Sequence, residues 1–223
     1  MKNWWRGITT ALLSGSLFMT ASVMASGGKG AYEITVTNIT QGEIFTPILV
    51  ASHPHGVKLF ELGHAASTAL AMLAEGGDTA PLSALLLSEG AHDVATADDV
   101  LPPGSSVTLT VDVTRHSRSI SVASMLVPSN DAFFAVNGAR GPRGSQTLTL
   151  FSPAYDAGSE SNDELCVSIP GPPFICAGEG FNAADGEGYV HIHPGIQGVG
   201  DLIATDLDWH NPVAKISVKF VRH

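Results

Sequence analysis

The chain has 223 residues, of which 44% are hydrophobic and 14% are charged, so it is long and apolar enough to fold around at least one sizeable core. Its formal net charge of −10 argues against binding to nucleic-acid phosphates and against docking on anionic lipid. The 24 glycines and 13 prolines favour a fold with many turns.

The first residues have the pattern of an export signal. Basic residues precede the short apolar run ITTALLSGSLFMTA, and the small residues Val23 and Ala25 suit a cleavage site. An uncleaved anchor helix is the alternative, but the run is short and is interrupted by Ser, Thr and Gly. We therefore predict a signal peptide over residues 1–25 and a mature domain over 26–223. We expect the protein to be secreted or periplasmic, without a transmembrane anchor after cleavage.

Strand patterns open the mature chain, and a helical pattern follows them. Tyr32–Asn38 alternates apolar and polar residues, and Thr46–His53 is also predicted to be a strand. The next segment, Lys58–Glu75, has helical periodicity, and Gly76–Gly77 ends it. Its apolar stripe, which we expect to pack on the strands, consists of Leu59, Leu62, Ala66, Leu70 and Leu73. The run PLSALLLSEG then predicts a second short helix that opens with Pro81.

After LPPGSS, the chain returns to strand patterns. The run VTLTVDV has strict two-residue alternation, and the other runs are rich in β-branched residues between turn signals. The predicted strands are Val107–Val113, Ser119–Pro128, Gln146–Phe151, Gly188–His193 and Pro212–Val221. Together these elements predict a mainly β fold, a single antiparallel β-sandwich with a short helical insertion after the second strand.

Two cysteines, Cys166 and Cys176, enclose the proline-rich segment VSIPGPPFI. Export would place them in an oxidising compartment, where such a pair usually forms a disulfide. A bridge over so short a loop contributes roughly 2–3 kcal/mol to stability. A metal thiolate pair is the alternative, but no CxxC spacing supports it. We predict that the two cysteines are bonded to each other.

Acidic residues are concentrated in the segment SPAYDAGSESNDEL. Asp156 and Glu160 lie on either side of Gly158, and Asp131 stands in VPSNDAF, where a predicted strand ends. Calcium takes six to eight oxygen ligands, which loops at one end of a sandwich can supply from separate segments. Asn, Asp, Gly and Ser are also ordinary turn residues. The residues alone therefore leave open a calcium site or two independent solvated turns.

His191 and His193 offer a different chemistry. They lie two apart in a predicted strand, so both point to one face, and their nitrogens would suit zinc or copper. No third ligand is fixed nearby, and alternate histidines on a strand are often hydrogen-bonded surface groups. The chain contains no nucleophile elbow, zincin motif, phosphate loop or dinucleotide fingerprint. The absence of these motifs makes a familiar enzyme less expected without excluding one, and a histidine-based metal-dependent enzyme stays an alternative.

The stretch SMLVPSNDAFFAVNG, followed by PAYDAGSESNDE, resembles the spondin domain. This domain is known from the N-terminal part of F-spondin-type matrix proteins and from stand-alone exported bacterial proteins. The segments NITQGEIFTPILVASH, LFELGHAAS, HIHPGIQGVGDL and DWHNPVAKISV extend the resemblance over nearly all of the mature chain. The helical segment and the HPGI element look more like the bacterial branch than the animal one.

The resemblance implies a C2-like β-sandwich that holds calcium in loops at one end. The aspartate of the PSxD pattern falls on Asp131, the first aspartate of DAG on Asp156, and the following acidic position on Glu160. Glu160 stands where the animal pattern usually has Asp, so its side chain is one methylene longer. We interpret SNDE (161–164) as a solvated part of the same turn.

The resemblance also implies a role. We expect an exported, non-catalytic, calcium-binding adhesion or interaction module whose extracellular or periplasmic partner the sequence does not identify. A purely structural exported sandwich without an ion is the remaining alternative.

Overall fold

The computed structural model describes residues 30–182 and 185–223. The predicted signal peptide, 1–25, and the start of the mature domain lie outside these residues. The strands are β1 (Gly30–Asn38), β2 (Ile44–Phe45), β3 (Leu49–His53), β4 (Asp93–Thr96), β5 (Ser106–Val113), β6 (Ser119–Val127), β7 (Ala132–Arg140), β8 (Thr147–Ser152), β9 (Ala154–Asp156), β10 (His191–Ile192) and β11 (Ala214–Arg222). The helices are α1 (Thr68–Gly76), α2 (Ala80–Ser88) and α3 (Ala204–Leu207).

These strands form two antiparallel sheets, which confirms the predicted β-sandwich. The smaller sheet has the order β5-β1-β11-β8, and the larger has the order β10-β9-β7-β6-β3-β4, with β2 paired to β6. The core between the sheets takes alternate residues from each strand, such as Ile34 and Val36 of β1 and Phe134 and Val136 of β7. The two-residue period of the sequence therefore decides which side chains face this core.

A second apolar layer covers the outer face of the larger sheet. Phe133 and Ala135 belong to this layer, whereas their neighbours on β7 belong to the core between the sheets. Leu70 and Leu73 of α1 and Leu82 and Leu86 of α2 complete the layer from the helical side. The helical insertion thus packs on the sandwich, as the sequence predicts, and β6 and the first half of β7 are buried on both faces.

The prediction of a helix over Lys58–Glu75 is wrong for the first half of this segment. Helix α1 begins only at Thr68, after Ser67, whose hydroxyl accepts a hydrogen bond from the Leu70 N–H at 3.2 Å. Leu62 is 56% exposed and so does not belong to the buried stripe, although Leu59 is buried.

The backbone of the segment before α1 forms its hydrogen bonds elsewhere. The Leu59 N–H donates to Asn137 Oδ1 at 2.7 Å, and the Phe60 carbonyl accepts from Asn137 Nδ2 at 2.8 Å. The Gly63 N–H donates to the Val190 carbonyl at 2.9 Å. These tertiary partners take the groups that a continuous helix would use, and they hold the segment against the larger sheet.

The structure confirms some of the other predicted element ends and shortens one predicted strand. Gly77 ends α1 in the left-handed conformation with φ of 68°, and Pro81 lies in the first turn of α2, as predicted. The predicted strand Gly188–His193 is shorter in the structure, where only His191–Ile192 is a strand. No helix in the described part of the chain combines the length and the apolar character that a membrane crossing requires.

Candidate metal centre

Strand pairing brings two of the predicted ligands together. Asp131 immediately precedes β7, Asp156 ends β9, and Ala132 lies directly opposite Asp156 in the antiparallel pairing of these strands. Both aspartates are completely buried. One ligand atom each of Asp131, Asp156 and His193 lie within 4.8 Å of one another. The two strand-end loops therefore meet at one edge of the larger sheet.

One carboxylate oxygen of Asp131 accepts hydrogen bonds, and the other has no hydrogen-bond partner among the described residues. Its Oδ2 accepts hydrogen bonds from the backbone N–H groups of Ser159 at 2.9 Å and Glu160 at 3.2 Å. Its Oδ1 is buried and has no hydrogen-bond partner among the described residues. Burial, and then the charge of Asp156, raise the pKa of Asp131 well above its usual value. A buried acceptor without a donor costs stability, so Oδ1 is the atom that a cation would satisfy.

Asp156 is held by a chain of hydrogen bonds. Its Oδ1 accepts from the Gly158 N–H at 2.7 Å, and its Oδ2 accepts from Asn162 Nδ2 at 2.7 Å. Asn162 Oδ1 lies 3.0 Å from His193 Nε2, and the Gly195 N–H donates to His193 Nδ1 at 3.0 Å. Because Nδ1 accepts, Nε2 of the neutral ring carries the proton and donates it to Asn162. Burial lowers the pKa of His193 to about 3, so the ring stays neutral. His193 therefore positions Asn162, and through it Asp156.

His191 faces the same aspartate from the next strand. It lies opposite Asp156 in the pairing of β9 with β10, and its Nε2 lies 3.5 Å from Asp156 Oδ1 and 3.8 Å from Glu187 Oε2. The Nδ1 atom lies 3.0 Å from the Ile192 carbonyl, which can only accept, so Nδ1 carries the proton of the neutral ring. This leaves a lone pair on Nε2, which has no hydrogen-bond partner in the described residues. Asp156, Glu187 and His191 form a second group with ligand atoms within 4.8 Å.

The carboxylate of Glu160, the third predicted ligand, lies apart from both groups. Neither of the candidate metal groups found among residues 30–182 and 185–223 includes it. Burial and the charges of Glu75, Asp163 and Glu179 raise the pKa of Glu160 to about 8. Only its backbone N–H reaches the aspartates, through the hydrogen bond to Asp131. The calcium role of the Glu160 side chain stays a prediction.

The interpretation of SNDE (161–164) as a solvated part of the turn is wrong for Glu164, which is buried. The Glu164 carboxylate accepts hydrogen bonds from the backbone N–H groups of Gln197 and Val199, the latter at 2.8 Å. The Glu164 N–H donates to Asn130 Oδ1 at 3.1 Å. Glu164 thus ties the loop after β10 to the loop that carries Asp131.

The predicted disulfide is present. Cys166 and Cys176 are bonded, with their Cα atoms 4.8 Å apart, and no free cysteine occurs in the described chain. The Cys166 N–H donates to Asp201 Oδ2 at 2.9 Å, which ties the proline-rich loop to the segment after β10.

Sequence reasoning missed three contributors to this centre, namely Asn162, Glu187 and the positioning role of His193. The predicted common face of His191 and His193 is confirmed, because each ring has a nitrogen within 4 Å of Asp156. The contact with Asp156 depends on the register between β9 and β10, which no local pattern in the sequence reveals.

Comparison with protein families gives a match. The Spondin_N family model matches residues 37–161, more than half of the chain. The matched range contains Asp131, Asp156 and Glu160 and ends before the disulfide and His191. A search of curated proteins finds none that matches this chain.

Proposed function

Because the chain belongs to the Spondin_N family, we propose that it is a non-catalytic, calcium-binding interaction module that works outside the cytoplasm. The observation that carries the proposal is the pair of buried aspartates at adjoining strand ends. Asp131 and Asp156 are completely buried, and Asp131 Oδ1 has no hydrogen-bond partner in the described residues.

Burial of two neighbouring carboxylates is unfavourable unless a positive charge or a proton compensates them. Burial raises the pKa values of both Asp131 and Asp156, so the pair favours a bound proton or a cation over two free charges. Calcium accepts carboxylate, carbonyl and water oxygens in a flexible shell of six to eight ligands. The oxygen atoms of Asp131 and Asp156 fit this preference, with carbonyls and water to complete the shell.

Glu160 is the third ligand in the proposal. Its carboxylate would have to turn from the neighbourhood of Glu75 and Asp163 toward Asp131. The extra methylene of Glu relative to Asp gives the side chain the length for such a rotation. The binding of calcium would also remove the unfavourable proximity of Glu160 to these other carboxylates.

Two observations support the remaining parts of the proposal. The Cys166–Cys176 disulfide is typical of proteins in oxidising compartments, which favours a secreted or periplasmic location. Both ring nitrogens of His193 are engaged with Gly195 and Asn162, so this histidine is not free to act as a general base. The proposed role is therefore adhesion or another interaction with an extracellular or periplasmic partner.

A second candidate is a transition-metal site formed by Asp156, Glu187 and His191. The free Nε2 lone pair of His191 favours it, because imidazole nitrogen suits zinc, copper or nickel better than calcium. Such a site would be the starting point for a metal-dependent enzyme.

A calcium titration of the melting temperature tests the proposal. A ligand at one hundred times its Kd stabilises the folded state by about 2.7 kcal/mol. For a domain of this size, that corresponds to an increase of about 5–11 °C relative to the chelated protein. Asp131→Asn and Asp156→Asn should lose this increase, whereas Asp98→Asn, at an exposed loop position, should keep it. Magnesium should stabilise much less, because it demands a compact octahedral shell.

Two results would contradict the proposal. One is a wild-type melting temperature that millimolar calcium leaves unchanged, and the other is an equal loss of response in Asp98→Asn and Asp131→Asn. A zinc titration separates the second candidate. Binding of zinc that His191→Ala abolishes, with no response to calcium, would favour the transition-metal site.

A further inference from the structure

The arginines of the described chain all lie at one end of the sandwich. They are Arg115, Arg118, Arg140, Arg143 and Arg222. Arg140 ends β7 opposite Ser119, the first residue of β6, and Arg222 ends β11 opposite Gly30, the first residue of β1. We call this surface the arginine end. Arg140 lies nine residues after Asp131 along β7, so the arginine end is about 30 Å from the candidate metal centre at ~3.3 Å per residue.

None of these arginines pairs with a carboxylate. The close contacts of carboxylates with basic side chains among the described residues involve only Lys58 and histidine rings, and none within 4.0 Å involves an arginine. Arg118 is half-buried and the other four arginines are exposed. The chain has 21 acidic residues and 11 Lys and Arg residues. In a protein with this excess of acidic residues, five arginines without carboxylate partners form a surface that can bind anions.

Part of the arginine end forms a concave site. A cavity of about 140 Å³ is lined by His55, Arg115, His116, Arg118, Ser119 and Arg140. The Arg118 guanidinium lies 5.5 Å from the centre of the Phe220 ring, and Arg115 Nε donates to His116 Nε2 at 2.7 Å. These contacts position two guanidinium groups without neutralising their charge. Contacts within the chain therefore restrain these two guanidinium groups.

Two further arginines flank this cavity. Arg143 acts together with Arg118 and Arg140 on the buried hydroxyl of Tyr32, where their positive charges oppose the rise in the pKa of Tyr32 that burial causes. Arg222 lines the neighbouring surface with Phe220. The positively charged surface thus extends beyond the cavity. A ligand that contacts the whole arginine end carries several negatively charged groups.

We propose that the arginine end binds sulfate ester or phosphate monoester groups of an extended soluble polyanion. The planar guanidinium offers paired N–H donors that match the oxygens of such groups. Arg115, Arg118 and Arg140 all line the cavity, and a sulfate ester or a phosphate monoester has three terminal oxygens to accept from them. A carboxylate has only two oxygens in one plane and uses fewer of these donors.

The test is a binding titration that uses the full folded chain and two labelled probes of similar length, a sulfated dextran oligosaccharide and a dextran oligosaccharide that carries phosphate monoesters. Fluorescence anisotropy is measured at low salt and at physiological salt. We expect saturable binding of at least one probe that weakens with salt, because exposed charges are screened. Arg115→Gln/Arg140→Gln should weaken it by about tenfold or more, since each substitution removes a charged hydrogen-bond donor group from the cavity.

A charge-matched control separates this site from general electrostatics. Lys215→Gln/Lys219→Gln removes the same charge from exposed positions of β11 and should bind within about twofold of the wild type. Arg115→Lys/Arg140→Lys keeps the charge but loses the guanidinium and should bind several-fold more weakly. Circular dichroism confirms that each variant is folded.

Several outcomes would overturn the proposal. They are no binding of either probe to the wild type, an equal loss in the lysine control, and equal binding of polygalacturonate, which carries only carboxylates. Binding to vesicles that contain anionic phospholipid, without binding to either soluble probe, would also overturn it.

Discussion

Leu70→Ala tests how the helical insertion contributes to stability. Leu70 lies on α1, is completely buried, and packs in the layer over the larger sheet with Leu49 and Phe133. Leu62 belongs to the same predicted stripe but is 56% exposed, because α1 begins only after it. The two substitutions remove the same atoms from the same insertion, so Leu62→Ala is the matched control.

The expected magnitude follows from burial. Truncation of a buried Leu to Ala costs about 2.7–5.0 kcal/mol, which includes the lost transfer free energy and the cavity that remains. We expect about 3 kcal/mol for Leu70→Ala, or a decrease in melting temperature of about 6–12 °C for a domain of this size. We expect a change within about 0.5 kcal/mol for Leu62→Ala, since exposed substitutions have small effects.

The assay is urea unfolding followed by circular dichroism, with the free energy of unfolding extrapolated to water. The slope of that free energy with urea should be the same for both variants and the wild type, because each unfolds from the same compact state. Leu70→Asp should be unfolded without urea. Equal losses in Leu62→Ala and Leu70→Ala, or a loss below about 1 kcal/mol in Leu70→Ala, would refute the packing of α1 on the sheet.

Two further predictions concern the loops around the metal centre. The pKa of Glu160 is raised from 4.5 to about 8, so the folded state keeps a proton that the unfolded state releases. The stability of the chelated protein should therefore fall as pH rises from 5 to 8, and Glu160→Gln should remove about 1–2 kcal/mol of that fall after allowance for solvent screening; parallel pH profiles would contradict this. Thiol labelling of the denatured, non-reduced protein should find Cys166 and Cys176 blocked, and reduction should lower the free energy of unfolding by roughly 2–3 kcal/mol. Two labelled thiols per chain before reduction would contradict the second prediction.

Much of the fold could be predicted from local patterns. The strand Val107–Val113 has strict alternation and appears in the structure as Ser106–Val113, because one of its faces packs on the core. The left-handed conformation at Gly77 ends α1, as the glycine pair predicts. The disulfide was also predictable, since the chain contains only one pair of cysteines. In each case, the information lies within a few neighbouring residues.

Strand β7 shows where local patterns are insufficient. The run AFFAVNGAR was not predicted as a strand, and its first five residues are all buried. One face of this part of β7 packs in the core between the sheets and the other packs under the helices, so both faces are apolar and the two-residue alternation disappears. The helix prediction for the segment before α1 was wrong for a related reason. The side chain of Asn137, on β7, forms hydrogen bonds with backbone groups of that segment.

For the candidate site too, some features follow from the sequence and others only from the tertiary structure. The sequence by itself placed Asp131 and Asp156 in loops that follow predicted strands, because strand and turn patterns are local. Only the tertiary structure decided that they meet, that His193 holds Asn162 against Asp156, and that the carboxylate of Glu160 lies apart. The arginine end is likewise invisible in the sequence, where its members span more than one hundred positions. The physical reason is that pairing register and side-chain rotation depend on contacts between segments that are distant in the chain, and no local period encodes them.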